Sequence, residues 1–402
     1  MKLSLVGISH RHAPIEVRER VALDLAQSAE VARGLAADGG ECVCLSTCNR
    51  TELYAVGDDG EARSLETLRL LGGDEVAALC YRLDDHAAAL HLFRVAAGLD
   101  SLVPGEGEIL GQVRSAYDAG TTGSLLNRLF HDALHAGKRA RAQTTIGESP
   151  ASVSSAAAAL AQQVFGDLNG RRVLIVGAGK VGELAARSLS ARGARLVAVA
   201  NRSEERGEEL ARAFDAAAVP LERLPEELAS ADVAVTCTSA AGFLVRPEDV
   251  RDRKGRPLFL IDLAVPRDVD PAVNDVDGCY VYDIDDLEAV VEATLTGRRR
   301  EAARAESIVA EEAERFRAWQ ASLDVVPTIA SLRARAEEIR SAELSKANLS
   351  DREREAVDSI TTQILNKLLH LPTVRMKEAA AAADGVLYAD AVRHLFGLED
   401  ER

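Results

Sequence analysis

Lysine is scarce in this chain: Lys2, Lys138, Lys180, Lys254, Lys346, Lys367 and Lys377 are all it has in 402 residues. Arginine therefore carries nearly all the positive charge, and 64 acidic residues against 48 basic ones leave a net charge of −16. Such a surface repels a polyanion at low salt. One account of it is a host with high internal salt, where screening removes most of the repulsion. Long apolar runs are missing too, since no stretch approaches the roughly 20 residues a membrane helix needs. Met1 to Gly7 alternates like a strand and lacks the apolar core and cleavage site of a signal peptide, so the expected location is the cytoplasm. Six cysteines, at 42, 44, 48, 80, 237 and 279, are too few and too irregular for a disulfide framework. They also lack the paired C-x2-C spacing of a structural zinc site, even with His10 and His12 nearby, so no metal is expected.

A chain of this length is expected to divide into two or three domains. Residues 1–148 mix short strands, such as Leu3–Ile8, Cys42–Leu45 and Glu52–Val56, with an alanine-rich helix near 24–37. Residues 149–285 alternate strand and helix, with Arg172–Val176, Leu196–Ala200, Val233–Thr236 and Leu258–Asp262 as strands and Val181–Ala191 as a helix. That alternation predicts a doubly wound parallel sheet of the Rossmann type. From Asp285 to Val326 there is no proline, and apolar residues recur at helical steps, predicting a helix of roughly 60 Å. More helix is expected after Pro327, with breaks near Asn348, at Pro372 and at Gly385. Residues 286–402 are thus read as a long linker helix and an all-helical dimerisation domain. The fold class is α/β multidomain, with an N-terminal α+β domain for catalysis.

Gly177-Ala178-Gly179-Lys180-Val181-Gly182 follows a strand and opens a helix. In that context the first glycine permits the tight turn and the second lets the backbone approach a pyrophosphate. The third allows close helix–strand packing. At the end of the next strand stand Asn201, Arg202 and Ser203. An NAD-binding site usually carries a carboxylate there; Arg202 and the Ser203 hydroxyl suit a 2′-phosphate instead, so NADPH is the expected cofactor.

Cys42 and Cys44 alternate on one strand face and read as core thiols, whereas Cys48 falls in a polar turn next to Arg50. A guanidinium nearby is expected to lower the Cys48 thiol pKa. Leu45-Ser46-Thr47-Cys48-Asn49-Arg50-Thr51-Glu52-Leu53-Tyr54 resembles the active-site segment of glutamyl-tRNA reductases. So do Gly7–Pro14, His91–Glu106 continuing through Ile109–Val113, Gly137–Arg141 with Ser152–Ser154, and Asp262–Val269. Five ordered blocks carry the resemblance from residue 1 to about 325.

The resemblance implies that Cys48 attacks the ester joining glutamate to its tRNA, leaving a thioester that hydride from NADPH reduces to glutamate-1-semialdehyde. That aldehyde is the precursor of 5-aminolevulinate and the tetrapyrroles. It further implies that Thr47, Asn49 and Arg50 surround the glutamyl group, with Arg50 gripping a carboxylate bidentately. Ser101, Glu106, Gly107, Glu108 and Gln112 would line the same pocket, with Glu106 or Glu108 taking the ammonium group. The family often has Pro-Gln where this chain has Gly107-Glu108. His91 matches a family histidine, as acid–base or positioning group. Implied partners are glutamyl-tRNA(Glu), a second copy of the chain, and a glutamate-1-semialdehyde aminomutase in transient complex. Arg128, Lys138, Arg139 and Arg141 form the best basic cluster for tRNA phosphates. Two alternatives stand beside this reading: an NADP-linked dehydrogenase similar to shikimate dehydrogenases, and a non-enzymatic, NADPH-sensing or tRNA-binding dimer.

Overall fold

The computed structural model describes residues 2–37, 39–102, 105–147, 153–251, 256–287, 299–380 and 385–398. Val103, Pro104, Ser152, Lys254 and the 288–298 part of the expected long helix lie outside the described residues. The chain forms two compact units, residues 1–310 and 311–402.

The first unit opens with an antiparallel sheet in the order β2-β3-β1-β4, formed by β1 (Leu3–Ser9), β2 (Glu41–Ser46), β3 (Arg50–Val56) and β4 (Tyr81–Asp84). Helix α1 (Ile15–Arg18) and helix α2 (Leu25–Leu35) separate β1 from β2. A capping box starts α2: the Gln27 N–H donates to the Asp24 carboxylate at 2.8 Å and the Asp24 N–H to the Gln27 side chain at 2.9 Å. Cys44 belongs to the core with Val6, Leu53 and Leu68, and Cys42 to a small cluster with Ala32 and Ala36. Both are buried, as their alternation required. Helices α3 (Gly60–Gly72) and α4 (Asp74–Leu79) precede β4, and α5 (Asp85–Ala97), α6 (Glu108–Ala119), α7 (Ser124–Gln143) and α8 (Val153–Phe165) follow it.

Next comes a six-stranded, wholly parallel sheet: β5 (Arg172–Val176), β6 (Arg195–Ala200), β7 (Ala217–Val219), β8 (Val233–Thr236), β9 (Leu258–Asp262) and β10 (Cys279–Tyr282), with α9 (Lys180–Ser190) between β5 and β6. Its order, β7-β6-β5-β8-β9-β10, reverses direction at β5 and β8. Ligands bind at the strand ends beside such a switch point. Apolar clusters cover both faces of this sheet, which explains the near-continuous hydrophobic strands.

A helix over Arg299–Asp324 continues the predicted linker for 26 residues, about 39 Å. Within the second unit, helices Val326–Lys346, Asp351–Ala380 and Gly385–Phe396 enclose a small core of Val325, Ile329, Leu332, Leu369, Met376 and Ala389. The first of these begins at Val326, with Pro327 in its opening turn, where a missing N–H costs nothing. The expected break near Asn348 is present, but the break at Pro372 is not: the helix runs through it. Leu368, whose carbonyl loses its donor to the proline, is exposed, so water can replace that bond. On the same helix Ile360, Ile364, Leu368 and Leu371 form an exposed stripe at helical spacing. Among the described residues, no helix is long and apolar enough to cross a membrane.

Candidate active site

Cys48 lies at the tip of the β2–β3 hairpin. Ser46 pairs with Thr51 across the strands, and the turn closes through the Thr47 N–H donating to the Arg50 carbonyl at 2.8 Å. The Thr47 hydroxyl accepts the Asn49 N–H at 3.2 Å, so Thr47 shapes the turn as well as facing it. The Asn49 carbonyl accepts the His10 N–H at 2.9 Å, tying the turn to the end of β1. Cys48 packs against the apolar cluster of the parallel-sheet domain, which also contacts Ala178, Val181 and Cys237. Glu108 links the two regions: its charge acts on Cys48 and on Cys237, and Lys180 of the glycine-rich loop acts on Glu108.

The electrostatics of the thiol differ from the expectation. Burial pushes Cys48 up to about 12, the charges of Glu106 and Glu108 push the same way, and Arg18 and Arg50 pull against them without prevailing. The turn is folded against a protein surface, so removing water from the thiolate outweighs the guanidinium that the sequence placed beside it.

Arg50 is also corrected in part. Its side chain is 1 % exposed, with Nη1 donating to Glu52 and to Asp100, each at 2.9 Å, and Nη2 donating to the Asp100 carbonyl. Both ends of the fork are consumed, because a buried guanidinium must be paired. A bidentate grip on substrate is not open to it; only Nε lacks a partner.

Glu52 is the hub that sequence reasoning missed. Its fully buried carboxylate accepts from Arg50, from His91 Nε2 at 2.8 Å, from the Tyr81 hydroxyl at 2.5 Å and from the Tyr54 hydroxyl at 2.6 Å. Burial alone would raise its pKa, but the His91 and Arg50 charges and these hydrogen bonds hold it well below the usual carboxylate range. A signal was present: Arg50, Glu52 and Tyr54 share one face of a strand. His91, on α5, is thus committed to Glu52. Asp100 joins Arg50 to Arg11, whose Nε lies 3.0 Å away. Burial, then Arg50, lowers His10 to about 4, so its ring is neutral at pH 7.

Glu106 and Glu108 flank the start of α6, with Gly107 exposed at the helix cap and Gln112 one turn further on. Burial raises both carboxyls; Glu108 pushes Glu106 higher, and Lys180 of the glycine loop draws Glu108 down. The Ser101 hydroxyl is set against Glu106 and draws its carboxyl down, while three polar atoms of expected substrate residues are buried without a hydrogen-bond partner: Asn49 Oδ1, Arg50 Nε and Glu108 Oε1. Unsatisfied groups of this kind are costly and mark a place for a polar ligand. Of the basic cluster, Lys138 is exposed, Arg128 pairs with Asp132, and Arg139 bonds Gln143. Arg141 turns inward onto the carbonyls of Ala96, Gly137 and Glu106.

The glycine loop borders a cavity of about 320 Å³, lined by Gly177, Ala178, Gly179, Asn201, Arg202, Ser203, Arg206 and Thr238 among others. Gly177 has a φ of +108°, and a Cβ on Gly182 would lie 2.1 Å from the Gly177 carbonyl oxygen. A Cβ on Gly179 would meet nothing within 4 Å, at the uncapped N-terminus of α9. Open space in front of bare N–H groups fits a pyrophosphate. Asn201 clips the loop together, accepting the Ala178 N–H at 3.0 Å and donating to the Ser203 carbonyl at 2.7 Å. Arg206, overlooked in the sequence, stands on the helix Glu204–Ala213 and brings a second guanidinium to the cavity that Arg202 lines. Lys180 pairs with Glu183 at 3.1 Å.

Fold and site together define a multidomain oxidoreductase that joins a hairpin thiol to a doubly wound dinucleotide domain. The family model described as glutamyl-tRNAGlu reductase, N-terminal domain, matches residues 6–144, and the dimerisation-domain model of the same name matches residues 304–398. A shikimate/quinate 5-dehydrogenase model matches residues 159–290, between them. Glutamyl-tRNA reductase from Rubrobacter xylanophilus is 46% identical over 420 residues, covering 99% of this chain and 97% of that protein. The protein of that name from Geobacter sulfurreducens is 43% identical, covering 100% and 97%. The solved glutamyl-tRNA reductase from Methanopyrus kandleri is 34% identical with a TM-score of 0.51, covering 98% of this chain and 99% of its own. The chain belongs to the glutamyl-tRNA reductase family. Its likeness to shikimate dehydrogenases is confined to the nucleotide-binding part.

Proposed function

We propose that this protein reduces glutamyl-tRNA(Glu) to glutamate-1-semialdehyde in the cytoplasm, with Cys48 as the nucleophile. The observation that carries the proposal is that Cys48 packs on the same apolar cluster as Ala178, Val181 and Cys237, with unpartnered polar atoms on its neighbours Asn49 and Arg50 and on Glu108. Gly177 to Gly182, with Asn201, Arg202, Ser203 and Arg206, would hold NADPH, which supplies the hydride when bound.

The Cys48 thiol is protonated in the free protein. An ammonium group placed between Glu106 and Glu108 offsets part of the negative charge that opposes the thiolate, so substrate binding lowers the thiol pKa. The thiolate forms a bond to the ester carbonyl carbon, the bond to the tRNA 3′-oxygen breaks, and that oxygen takes the proton the thiol lost. The resulting thioester would be the acceptor of the hydride that NADPH supplies, and the Cys48 sulfur would leave as thiolate and regain a proton from solvent as the aldehyde is released. Asn49 Oδ1 and Arg50 Nε bind the glutamyl group, with Thr47, Ser101 and Gln112 along the wall. His91 acts through Glu52, holding Arg50 in place.

Residues 1–148 are the proposed substrate domain, 149–285 the nucleotide domain and 286–402 the linker and dimerisation domain. The exposed apolar stripe over Ile360–Leu371 supports pairing of two copies. A transient complex with an aminomutase would shield the reactive aldehyde. Incubation with labelled glutamyl-tRNA without NADPH, followed by acid quench and peptide mapping, tests the nucleophile: label on the Cys48 peptide supports it, and label elsewhere refutes it.

A further inference from the structure

We infer that Arg18 is a positioning residue that sets the Cys48 turn against the nucleotide domain, an inference that rests on Cys48 being the nucleophile. Arg18 lies on α1 and is 3 % exposed. Every part of its guanidinium is used. Nε donates to the Ala13 carbonyl at 3.1 Å, Nη1 to the Cys48 carbonyl at 2.6 Å, and Nη2 to the Asp285 carboxylate. Asp285 follows β10, the last strand of the nucleotide sheet, and its other oxygen accepts the Ile15 N–H at 2.9 Å.

One rigid, planar group therefore joins the backbone of the nucleophile to the domain that carries the glycine loop. A second pairing holds α1 in place without Arg18. Arg267, in the loop after β9, bonds Glu16 at 3.0 Å and Glu19 at 2.8 Å, on either side of Arg18 in the sequence. Cys48 is thus held from its own hairpin and from the other domain at once, and Arg18 supplies the second hold. The Arg18 charge also favours the thiolate against burial.

Two steps of the reaction depend on this tie differently. Thioester formation needs the turn and the positive charge; reduction also needs the turn aligned with the nucleotide domain. Asp285→Asn keeps an oxygen for the Ile15 N–H and turns an amide NH2 toward Arg18, so the tie to the nucleotide domain breaks while Arg18 stays on the Cys48 carbonyl. In single-turnover assays with labelled glutamyl-tRNA, aldehyde formation in this variant should fall about tenfold or more beyond any fall in acid-quenched thioester formed without NADPH, since misplacement near 1 Å costs up to about a hundredfold. Arg18→Gln should slow both steps and move the pH dependence of thioester formation upward. Arg18→Lys should restore that pH dependence but not the aldehyde rate. NADPH affinity, read by fluorescence, should match wild type in all three. An unchanged ratio of aldehyde to thioester in Asp285→Asn overturns the inference, and that variant decides alone if Arg18→Gln does not fold. Absence of any Cys48 thioester in the wild type would instead refute the nucleophile assignment and take the inference with it.

Discussion

Glu52→Gln is the substitution whose cost the structure fixes most closely. The carboxylate is buried and accepts four hydrogen bonds, two from the potentially charged groups Arg50 and His91 and two from the hydroxyls of Tyr54 and Tyr81. Glutamine preserves the shape but has one oxygen in place of two, and its NH2 must face donors. Oε1 takes the bonds from Arg50, His91 and Tyr81 and Oε2 only the one from Tyr54, so a glutamine oxygen at the first position keeps three and loses one, at about 1.5–3 kcal/mol. Removing the buried charge that faces Arg50 and His91 adds to this, toward the roughly 3–5 kcal/mol of a broken buried ion pair, softened here because Asp100 still pairs with Arg50. The pH dependence follows from the sign of the shift. Glu52 has a depressed pKa in the folded protein, so its stabilisation is complete above the ordinary carboxylate range and is lost as pH falls below it. Urea denaturation monitored by tyrosine fluorescence at pH 7 and at pH 4 measures both effects. The variant should lose most at pH 7 and show a flatter acid limb than wild type. A loss below about 1 kcal/mol at pH 7 would show that the four contacts do not hold the catalytic hairpin.

Free Cys48 should alkylate slowly at pH 7 with iodoacetamide, its rate still rising past pH 9, since burial pushes the thiol up to about 12; a plateau near pH 7 would contradict the burial argument. Gly182→Ala should disrupt the loop itself, because the new methyl would lie 2.1 Å from a carbonyl oxygen, and Gly179→Ala should leave thermal stability intact while weakening NADPH binding. Equal thermal losses in the two would refute that distinction. Arg202→Ala with Arg206→Ala should cost about 1.5–3 kcal/mol of NADPH affinity per lost charge-assisted bond and leave NADH affinity nearly unchanged, as calorimetry would report.

Local features were legible in the sequence, and meetings between distant segments were not. The glycine loop announced itself because turn, helix start and packing are all encoded within Gly177–Gly182. Cys42 and Cys44 were placed in the core by alternation alone. The Pro372 helix was misread because propensity says nothing of whether water can reach the carbonyl that the proline leaves free. Thiol chemistry was misjudged at Cys48 because its burial comes from tertiary packing that the hairpin sequence does not carry. Glu52 was hidden for the same reason: its partners come from β3, β4 and α5, which only the folded sheet brings together. Arg18 carried no signal at all, since its two important contacts lie at Cys48 and Asp285.

NADPH oxidation with glutamyl-tRNA as substrate, for wild type and for Cys48→Ser, tests the central claim most directly. High salt should accompany the assay, given a net charge of −16. Turnover to an aldehyde that is lost in Cys48→Ser, with NADPH binding retained, is the predicted result. NADPH binding without turnover in the folded wild type, or undiminished turnover in Cys48→Ser, would contradict it.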